Sequence, residues 1–116
     1  MEVLEVKVAE IKPLFRSDYT GSPSLEERMK KSGWLEIKPI PVIKTPDDLV
    51  SRWGEFTFVD GVRRFKAARA AGLETIRVLV YGQEDNIDEV VEMSGGNSSG
   101  KAWNYDSHLM YLRNPF

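Results

Sequence analysis

The chain of 116 residues contains no cysteine and only one histidine, His108. Without cysteine the protein can form no disulfide framework, no thiolate metal site and no thiol nucleophile. A single imidazole without a second ligand at a metal-binding spacing is typical of an ordinary side chain rather than a metal ligand. The composition therefore excludes thiol chemistry, and we predict no metal centre built on this histidine.

The sequence also lacks a long apolar run and a large net charge. No stretch approaches the ~18 apolar residues that can span a bilayer, and residues 1–5 (MEVLE) do not resemble a signal peptide. We therefore expect a cytoplasmic protein with no membrane partner. The formal net charge of −2 argues against holding duplex DNA by bulk electrostatics. Any nucleic-acid contact would have to be local, drawn from the cluster Arg63, Arg64, Lys66 and Arg69.

The segment around which the chain is organised is residues 58–80, FVDGVRRFKAARAAGLETIRVLV. Its pattern predicts a short strand, a break at Asp60 and Gly61, a helix that ends before Gly72, and a β-branched strand over residues 76–80. Glycine at the break lets the backbone turn sharply or approach a ligand closely. Glycine after the helix suits the left-handed position at a helix C-terminus.

The start of this predicted helix has the features of a phosphate-binding site. Free N–H groups at a helix N-terminus attract anions, and arginine adds planar pairs of donors suited to phosphate oxygens. Arg63 and Arg64 lie in the first turn, where the helix dipole makes a cation mildly unfavourable unless an anion is bound. We therefore predict a phosphate site here. The alternative is a solvated basic face on an ordinary surface helix.

Further elements are predicted on both sides of this segment. Proline cannot donate to a central ladder, so the strand that contains Pro39 and Pro41 should be an edge strand or begin only after Pro41. Thr45 is predicted to cap a short helix, and Asp85 or Asn86 to cap another. The remaining predicted elements are an early strand within residues 3–11, a helix through residue 31, and a helix or arm within residues 101–116.

Three motifs, in this order along the chain, resemble the ParB/sulfiredoxin superfamily. Residues 3–13 resemble its opening strand, and residues 25–42 (LEERMKKSGWLEIKPIPV) resemble its helix, glycine and Pro-Ile-x-Val strand. Residues 61–68 (GVRRFKAA) are similar to the G-E-R-R-aromatic-R-A-A pattern of ParB partition proteins. The resemblance implies an α+β fold in which a small mixed sheet of about four strands is flanked by about four helices.

The resemblance also implies roles for individual residues and a cofactor class. Arg63 and Arg64 would contact phosphate oxygens, Gly61 would allow the ligand to approach closely, and Asp60 would hold a metal-bound water or cap the helix. The cofactor class it implies is a nucleotide with Mg²⁺. In relatives that phosphorylate free serine, a carboxylate lies just after the corresponding Lys-Pro, and here the nearest acid is Asp18. Asp18 and Asp60 are therefore the candidate catalytic residues.

One departure from the family pattern bears on catalysis. Val62 stands where sulfiredoxins carry cysteine and where ParB proteins carry the glutamate of G-E-R-R. Without a thiol, sulfiredoxin-like reduction is excluded. The favoured function is a ParB-like module that binds a nucleotide or another phosphate-bearing ligand, with DNA association, a protein partner and a homodimer left open. The alternatives are a small-molecule kinase or nuclease-like phosphohydrolase, and a partner-binding protein whose pocket is vestigial.

Residues 95–101 (GGNSSGK) satisfy the G-x4-G-K part of a Walker A loop. The next residue is Ala102, where magnesium coordination requires Ser or Thr. We therefore predict a flexible linker, with residues 1–93 forming the ParB/sulfiredoxin-like domain and residues 94–116 forming the linker and a C-terminal helix or arm packed on that domain. The helix-turn-helix DNA reader of full partition proteins is not expected within these last residues.

Overall fold

We analysed a computed structural model, which describes residues 1–11, 23–34, 37–57, 61–95 and 105–113. Within these ranges the strands are β1 (Glu2–Lys7), β2 (Ile40–Lys44), β3 (Phe56–Thr57) and β4 (Thr75–Val80). The helices are α1 (Pro23–Ser32), α2 (Val50–Trp53), α3 (Val62–Ala70), α4 (Ile87–Ser94) and α5 (Tyr105–Arg113). Short 3-10 helices, Val8–Glu10 and Asp47–Leu49, follow β1 and precede α2.

The four strands form one mixed sheet in the order β1-β4-β2-β3. Strand β1 is antiparallel to β4, from Glu2 opposite Val80 to Lys7 opposite Thr75. Strand β2 runs parallel to β4 and antiparallel to β3. A small mixed sheet flanked by helices confirms the predicted α+β fold. In the described part of the chain, no helix is long and apolar enough to cross a membrane.

Helices α1 and α3 cover one face of the sheet. Because side chains alternate along a strand, Ile76 and Val78 of β4 point to this face, where they join one buried cluster with Phe65 of α3 and Met29 of α1. Phe65 is 1% exposed and Met29 is fully buried. Fully burying a side chain of this size stabilises a fold by roughly 1.5–3 kcal/mol. The α3 helix is therefore held tightly against the sheet, and its N-terminus has a defined position.

Helices α4 and α5 pack on the opposite face. Leu79 of β4, Val90 of α4 and Leu112 of α5 belong to a second buried cluster. The indole N–H of Trp53 donates to the carbonyl of Leu112 at 3.1 Å, which ties α5 to α2. Tyr81 lies in the same cluster, and burial, with a smaller contribution from Tyr105, raises the pKa of its hydroxyl. The sheet thus lies between two helical layers.

The position of β2 differs from the prediction made from its prolines. Strand β2 begins at Ile40, before Pro41, and lies between β4 and β3 rather than at an edge. Val42 accepts a hydrogen bond from the N–H of Tyr81, on the β4 side. By alternation the nitrogen of Pro41 points towards β3, whose described residues pair only with Ile43 and Lys44. A central strand therefore tolerates Pro41, because no ladder bond is lost to β4.

Two of the predicted helix caps have different outcomes. Asn86 caps α4 as predicted, with its side-chain oxygen accepting the N–H of Asp88 at 2.9 Å. Thr45 does not cap the segment that leads into α2. Its hydroxyl instead forms a 2.6 Å hydrogen bond with the hydroxyl of Thr57, and both side chains are buried. A buried hydroxyl needs a partner, and the cross-strand threonine satisfies it.

The turn between β4 and α4 depends on an ionised carboxylate. Asp85 accepts the N–H of Gly82 at 2.8 Å and the α-amino group of Met1 at 3.0 Å. The hydrogen bond from Gly82, followed by the one from the α-amino group, holds the pKa of the Asp85 carboxyl below its usual range. The turn is therefore stabilised by the charged form.

Replacing Asp85 with Asn should lower the free energy of unfolding at neutral pH. A carboxyl whose folded pKa lies below its unfolded value of about 3.9 stabilises the fold above that value and loses this contribution as the pH falls through the folded pKa. The difference between wild type and Asp85→Asn should therefore shrink as the pH is lowered from 7 to about 2. Urea unfolding across this pH range tests it, and a difference that does not change with pH would contradict it.

Candidate functional site

The predicted phosphate site begins at Gly61, the residue that precedes α3. Gly61 has φ 79° and ψ 14°, which is the left-handed region, and its carbonyl accepts the N–H of Phe65 at 3.0 Å. A Cβ atom at this position would lie 2.9 Å from Cγ2 of Ile40 and 3.1 Å from Nη2 of Arg64. Glycine is therefore required both by the backbone turn and by the close packing of the turn on the start of β2.

The N-terminus of α3 has the composition of an anion site. The first N–H groups of an α-helix have no acceptor inside the helix, and Gly61 has no side chain to cap them. The first turn contains no acidic residue. Arg63 is exposed there and Arg64 is half-buried. The helix dipole and the two guanidinium groups together produce a positive potential at this end of α3.

Arg64 is held by three backbone carbonyl groups. Its Nη1 donates to the carbonyl oxygens of Lys38 at 2.8 Å, Pro39 at 3.3 Å and Ser94 at 2.8 Å. The acceptors belong to the segment before β2 and to the C-terminus of α4. The negative end of the α4 dipole therefore offsets the cation at the positive end of α3. From the sequence, only a bound anion was expected to offset a cation at the start of α3, because the sequence does not show that the end of α4 lies beside it.

Lys38 also lies at this place, where it helps to hold the C-terminus of α4, and the sequence analysis did not identify it. Its ammonium donates to the carbonyl of Glu92 at 3.2 Å, and its side chain packs over the position where Gly95 ends α4 with φ 65°. Together with Arg64 it satisfies carbonyl groups in the last turn of α4, where cations are favourable. No motif marks Lys38, because its partner lies 54 residues away in the sequence.

The predicted site residues are brought together only in part. Gly61, Arg63 and Arg64 form one local constellation at the start of α3, whereas Asp18 and Asp60 lie outside the described residues. Among the residues that the structure describes, there is no group of three or more His, Cys, Asp or Glu side chains that could hold a metal ion.

The loop that partly matches a Walker A motif begins at Gly95. Gly95 is the left-handed C-cap of α4, and its N–H donates to the carbonyl of Val91. A Walker A loop follows a buried strand and opens a helix, whereas here the first glycine terminates a helix. Residues 96–101 lie outside the described part of the chain.

A cavity lined by described residues lies at the other end of α3. Its volume is about 560 Å³, and it is lined by the end of β1, the last turn of α3 and the start of β4. It contains none of the predicted site residues. The chain that follows Ile11, one of its lining residues, lies outside the described ranges. We therefore assign it no function.

Comparison with known proteins identifies relatives of this chain. The ParB N-terminal domain family matches residues 1–97. A C-terminally truncated chromosome-partitioning protein ParB from Caulobacter crescentus, complexed with CTP-gamma-S, is 26% identical, with 81% of this chain covered and a TM-score of 0.50. The same ParB complexed to the centromeric parS site is 29% identical over 71% of this chain, with a TM-score of 0.48.

The similarity extends to a second branch of the fold. Sulfiredoxin from Arabidopsis thaliana is 22% identical, and the alignment covers 79% of this chain and 94% of the sulfiredoxin, with a TM-score of 0.50. The two ParB chains are longer than this one, and the alignments cover only 51% and 40% of them. This chain therefore spans about half the length of the ParB chains that it matches. Comparison with curated protein sequences gave no match.

Replacing Gly61 with Ala should destabilise the fold more than replacing Gly72 with Ala. Both glycines have positive φ, 79° and 78°, so each alanine should incur the left-handed strain of roughly 1–2 kcal/mol. Only at Gly61 would the methyl group also meet Ile40, whereas nothing lies within 4 Å of a Cβ at Gly72. Overpacking of this kind adds about 1–3 kcal/mol. Urea unfolding of both variants tests this, and equal losses would show that the turn does not pack on β2.

Proposed function

Because this chain belongs to the ParB N-terminal domain family, we propose that it binds a nucleotide, or another phosphate-bearing ligand, at the turn formed by residues 60–64. Arg63 and the first N–H groups of α3 bind the phosphate oxygens, and Arg64 contributes a guanidinium held in place by the protein. Gly61 has no side chain, so the ligand can approach these donors closely. Asp60, which precedes Gly61 in the chain, caps the helix or holds a metal-bound water.

The observation that carries this proposal is the start of α3. A helix N-terminus whose first turn has two arginines and no acid attracts a phosphate group. The similar ParB from Caulobacter crescentus is complexed with CTP-gamma-S, which supports a nucleotide as the ligand class. CTP is therefore the first nucleotide to test.

Arg64 supports the site through its fixed orientation. Its Nη1 bonds with carbonyl groups of Pro39 and Ser94, and its Nη2 lies beside Gly61. A guanidinium already held in one orientation loses little conformational entropy when it forms a further contact. Arg64 therefore has two roles in the proposal, because it joins α4 to α3 and directs donors towards the turn.

A magnesium ion fits the proposed site only when a phosphate-bearing ligand is bound there as well. Mg²⁺ prefers oxygen atoms and is commonly bound by one or two carboxylates together with phosphate oxygens and water. Asp60 is the acid adjacent to the turn and would be the protein ligand. When bound, the ion would neutralise charge on the phosphates. The protein residues bind and orient the ligand without it.

An enzyme is the second candidate, as a small-molecule kinase or a phosphohydrolase using Asp18 or Asp60. Phosphoryl transfer requires a positioned acid/base or water-orienting group. Val62 occupies the position where ParB proteins have the glutamate of G-E-R-R, and no acid follows Lys12 and Pro13 directly. A third candidate is a partner-binding protein, DNA-associated or not, that no longer uses the turn. We favour the binding module.

Replacing Arg63 with Ala should weaken binding of CTP by ~1.5–3 kcal/mol, the range for a hydrogen bond to a charged group, with little change in stability. Arg64→Ala should weaken binding and also lower the free energy of unfolding, because it leaves carbonyl groups of the α4 terminus without their donor. Arg69→Ala is the matched control, since it removes the same charge from the last turn of α3. Lys101→Ala tests the glycine-rich loop and should leave binding unchanged.

Titration calorimetry with CTP, other nucleoside triphosphates and inorganic triphosphate would measure these affinities, and urea unfolding would measure the stabilities. Unchanged affinity in both Arg63→Ala and Arg64→Ala would reject the site. Loss of binding in Lys101→Ala alone would move the site to residues 95–101. Equal weakening by Arg69→Ala would indicate a general charge effect rather than a site.

The wild-type protein should show very slow or no turnover of nucleoside triphosphates with Mg²⁺. The reason is that Val62 stands where ParB proteins carry the glutamate of G-E-R-R, and an apolar side chain can neither orient water nor transfer a proton. Phosphate release from CTP and ATP measures this directly. Steady turnover that Asp18→Asn or Asp60→Asn abolishes would favour the enzyme instead. Absence of both turnover and binding would favour the partner-binding protein.

A further inference from the structure

Lys38 adds a third cation beside the two arginines of the proposed phosphate site. Its carbonyl accepts a hydrogen bond from Nη1 of Arg64 at 2.8 Å, and Nη2 of the same guanidinium lies beside Gly61. The contacts therefore run in order from the turn before α3, through Arg64, to Lys38. Lys38 is exposed, whereas Arg64 is half-buried, so a ligand at the turn can meet both groups.

The neighbours of Lys38 fix its position. A residue before proline is restricted to extended conformations, and Lys38 precedes Pro39. Its carbonyl is held by Arg64. Its aliphatic stem packs against Gly95, where an added Cβ atom would lie 3.0 Å from Cδ of the lysine. The ammonium group is therefore presented from a defined place beside the site.

The ammonium group of Lys38 retains capacity to donate. It donates to the carbonyl of Glu92 at 3.2 Å in an exposed contact. Among the described residues it forms no ion pair with a carboxylate. An ammonium group has three N–H donors and no acceptor, so it can keep this carbonyl as a partner and bind an anion as well.

We propose that Lys38 binds the outer phosphate of a ligand that carries two or more phosphate groups, and thereby selects such a ligand over a monophosphate. This inference rests on the proposed function of residues 60–64. The phosphate nearest α3 contacts Arg63 and the first N–H groups of the helix, as a single phosphate would. A phosphate further along the ligand passes Arg64 and meets the ammonium group of Lys38.

The chemistry of lysine suits this role. An ammonium group is a compact point charge on a flexible stem, whereas a guanidinium binds phosphate through a planar pair of donors. The arginines at the start of α3 therefore orient the first phosphate, and Lys38 adds an attraction that depends on a further negative group. A monophosphate held at the helix N-terminus gains little from Lys38, because it has no group beyond Arg64.

Lys38 also helps to hold the end of α4, and this structural role predicts a different result. Losing the contact with α4 would weaken all ligands by a similar factor, because it disturbs the frame that all of them share. Losing a contact with the outer phosphate weakens only the ligands that have one. The ratio of two affinities therefore distinguishes the two roles.

Titration calorimetry of the full chain with CTP, CDP and CMP, without Mg²⁺, measures this ratio. The wild type should bind CTP about tenfold or more tightly than CMP. Lys38→Met keeps an unbranched stem against Gly95 but removes the charge. Its affinity for CTP should fall about tenfold, the effect of one hydrogen bond to a charged group, while its affinity for CMP should change less than about twofold.

Two further variants complete the test. Lys38→Arg retains a cation and should keep most of the preference for CTP. Lys44→Met is the matched control, because it removes the same charge from an exposed position at the far end of β2. It should leave the affinities for CTP and CMP, and therefore their ratio, as they are in the wild type.

The outcomes separate this inference from the function on which it rests. If the wild type binds CTP without preferring it to CMP, or if Lys38→Met keeps the wild-type ratio, Lys38 only holds α4 and the inference is wrong. Loss of the preference in Lys38→Arg would assign the effect to packing, and its loss in Lys44→Met would assign it to general charge. A wild type that binds none of these ligands would reject the proposed function itself, and this inference with it.

Discussion

The guanidinium of Arg64 connects three parts of the chain, and the geometry of the candidate site depends on it. Arg64 lies in the first turn of α3, and its guanidinium donates to the carbonyl groups of Lys38, Pro39 and Ser94. A charge-assisted hydrogen bond contributes about 1.5–3 kcal/mol, so these contacts are strong relative to the marginal stability of a small domain. The positive end of α3 and the negative end of α4 are thereby brought to the same place.

This arrangement explains why the turn before α3 has so little freedom. Gly61 must adopt a left-handed conformation and must also lie against Ile40 at the start of β2. Phe65, one turn further along α3, is buried between that helix and the sheet. The turn is therefore positioned from both sides, by core packing on one and by Arg64 on the other. A phosphate ligand would meet donors whose orientation is already established, which favours binding.

Charge has a different meaning in the folded protein than in the composition. A net charge of −2 argues against holding duplex DNA by bulk electrostatics. The fold places α1 and α3 on one side of the sheet and α4 on the other, and this separates the seven cations of α1 and α3 from the five acids of residues 81–95. The sum over the chain is unchanged, but the potential at each surface is not, because screening makes surface interactions local.

Local pattern in the sequence determined the elements themselves, including the glycine that ends α3, the Asn86 cap of α4 and the arginine pair after Gly61. These features depend on neighbouring residues, so periodicity and capping rules can detect them. Only the tertiary structure decided that β2 is central despite Pro41, that Thr45 pairs with Thr57 instead of capping, and that Arg64 bonds to the end of α4. Each of these depends on a partner that lies 12 to 38 residues away, in another strand or helix. Contacts of this kind arise from the packing of layers, and no short stretch of sequence contains them.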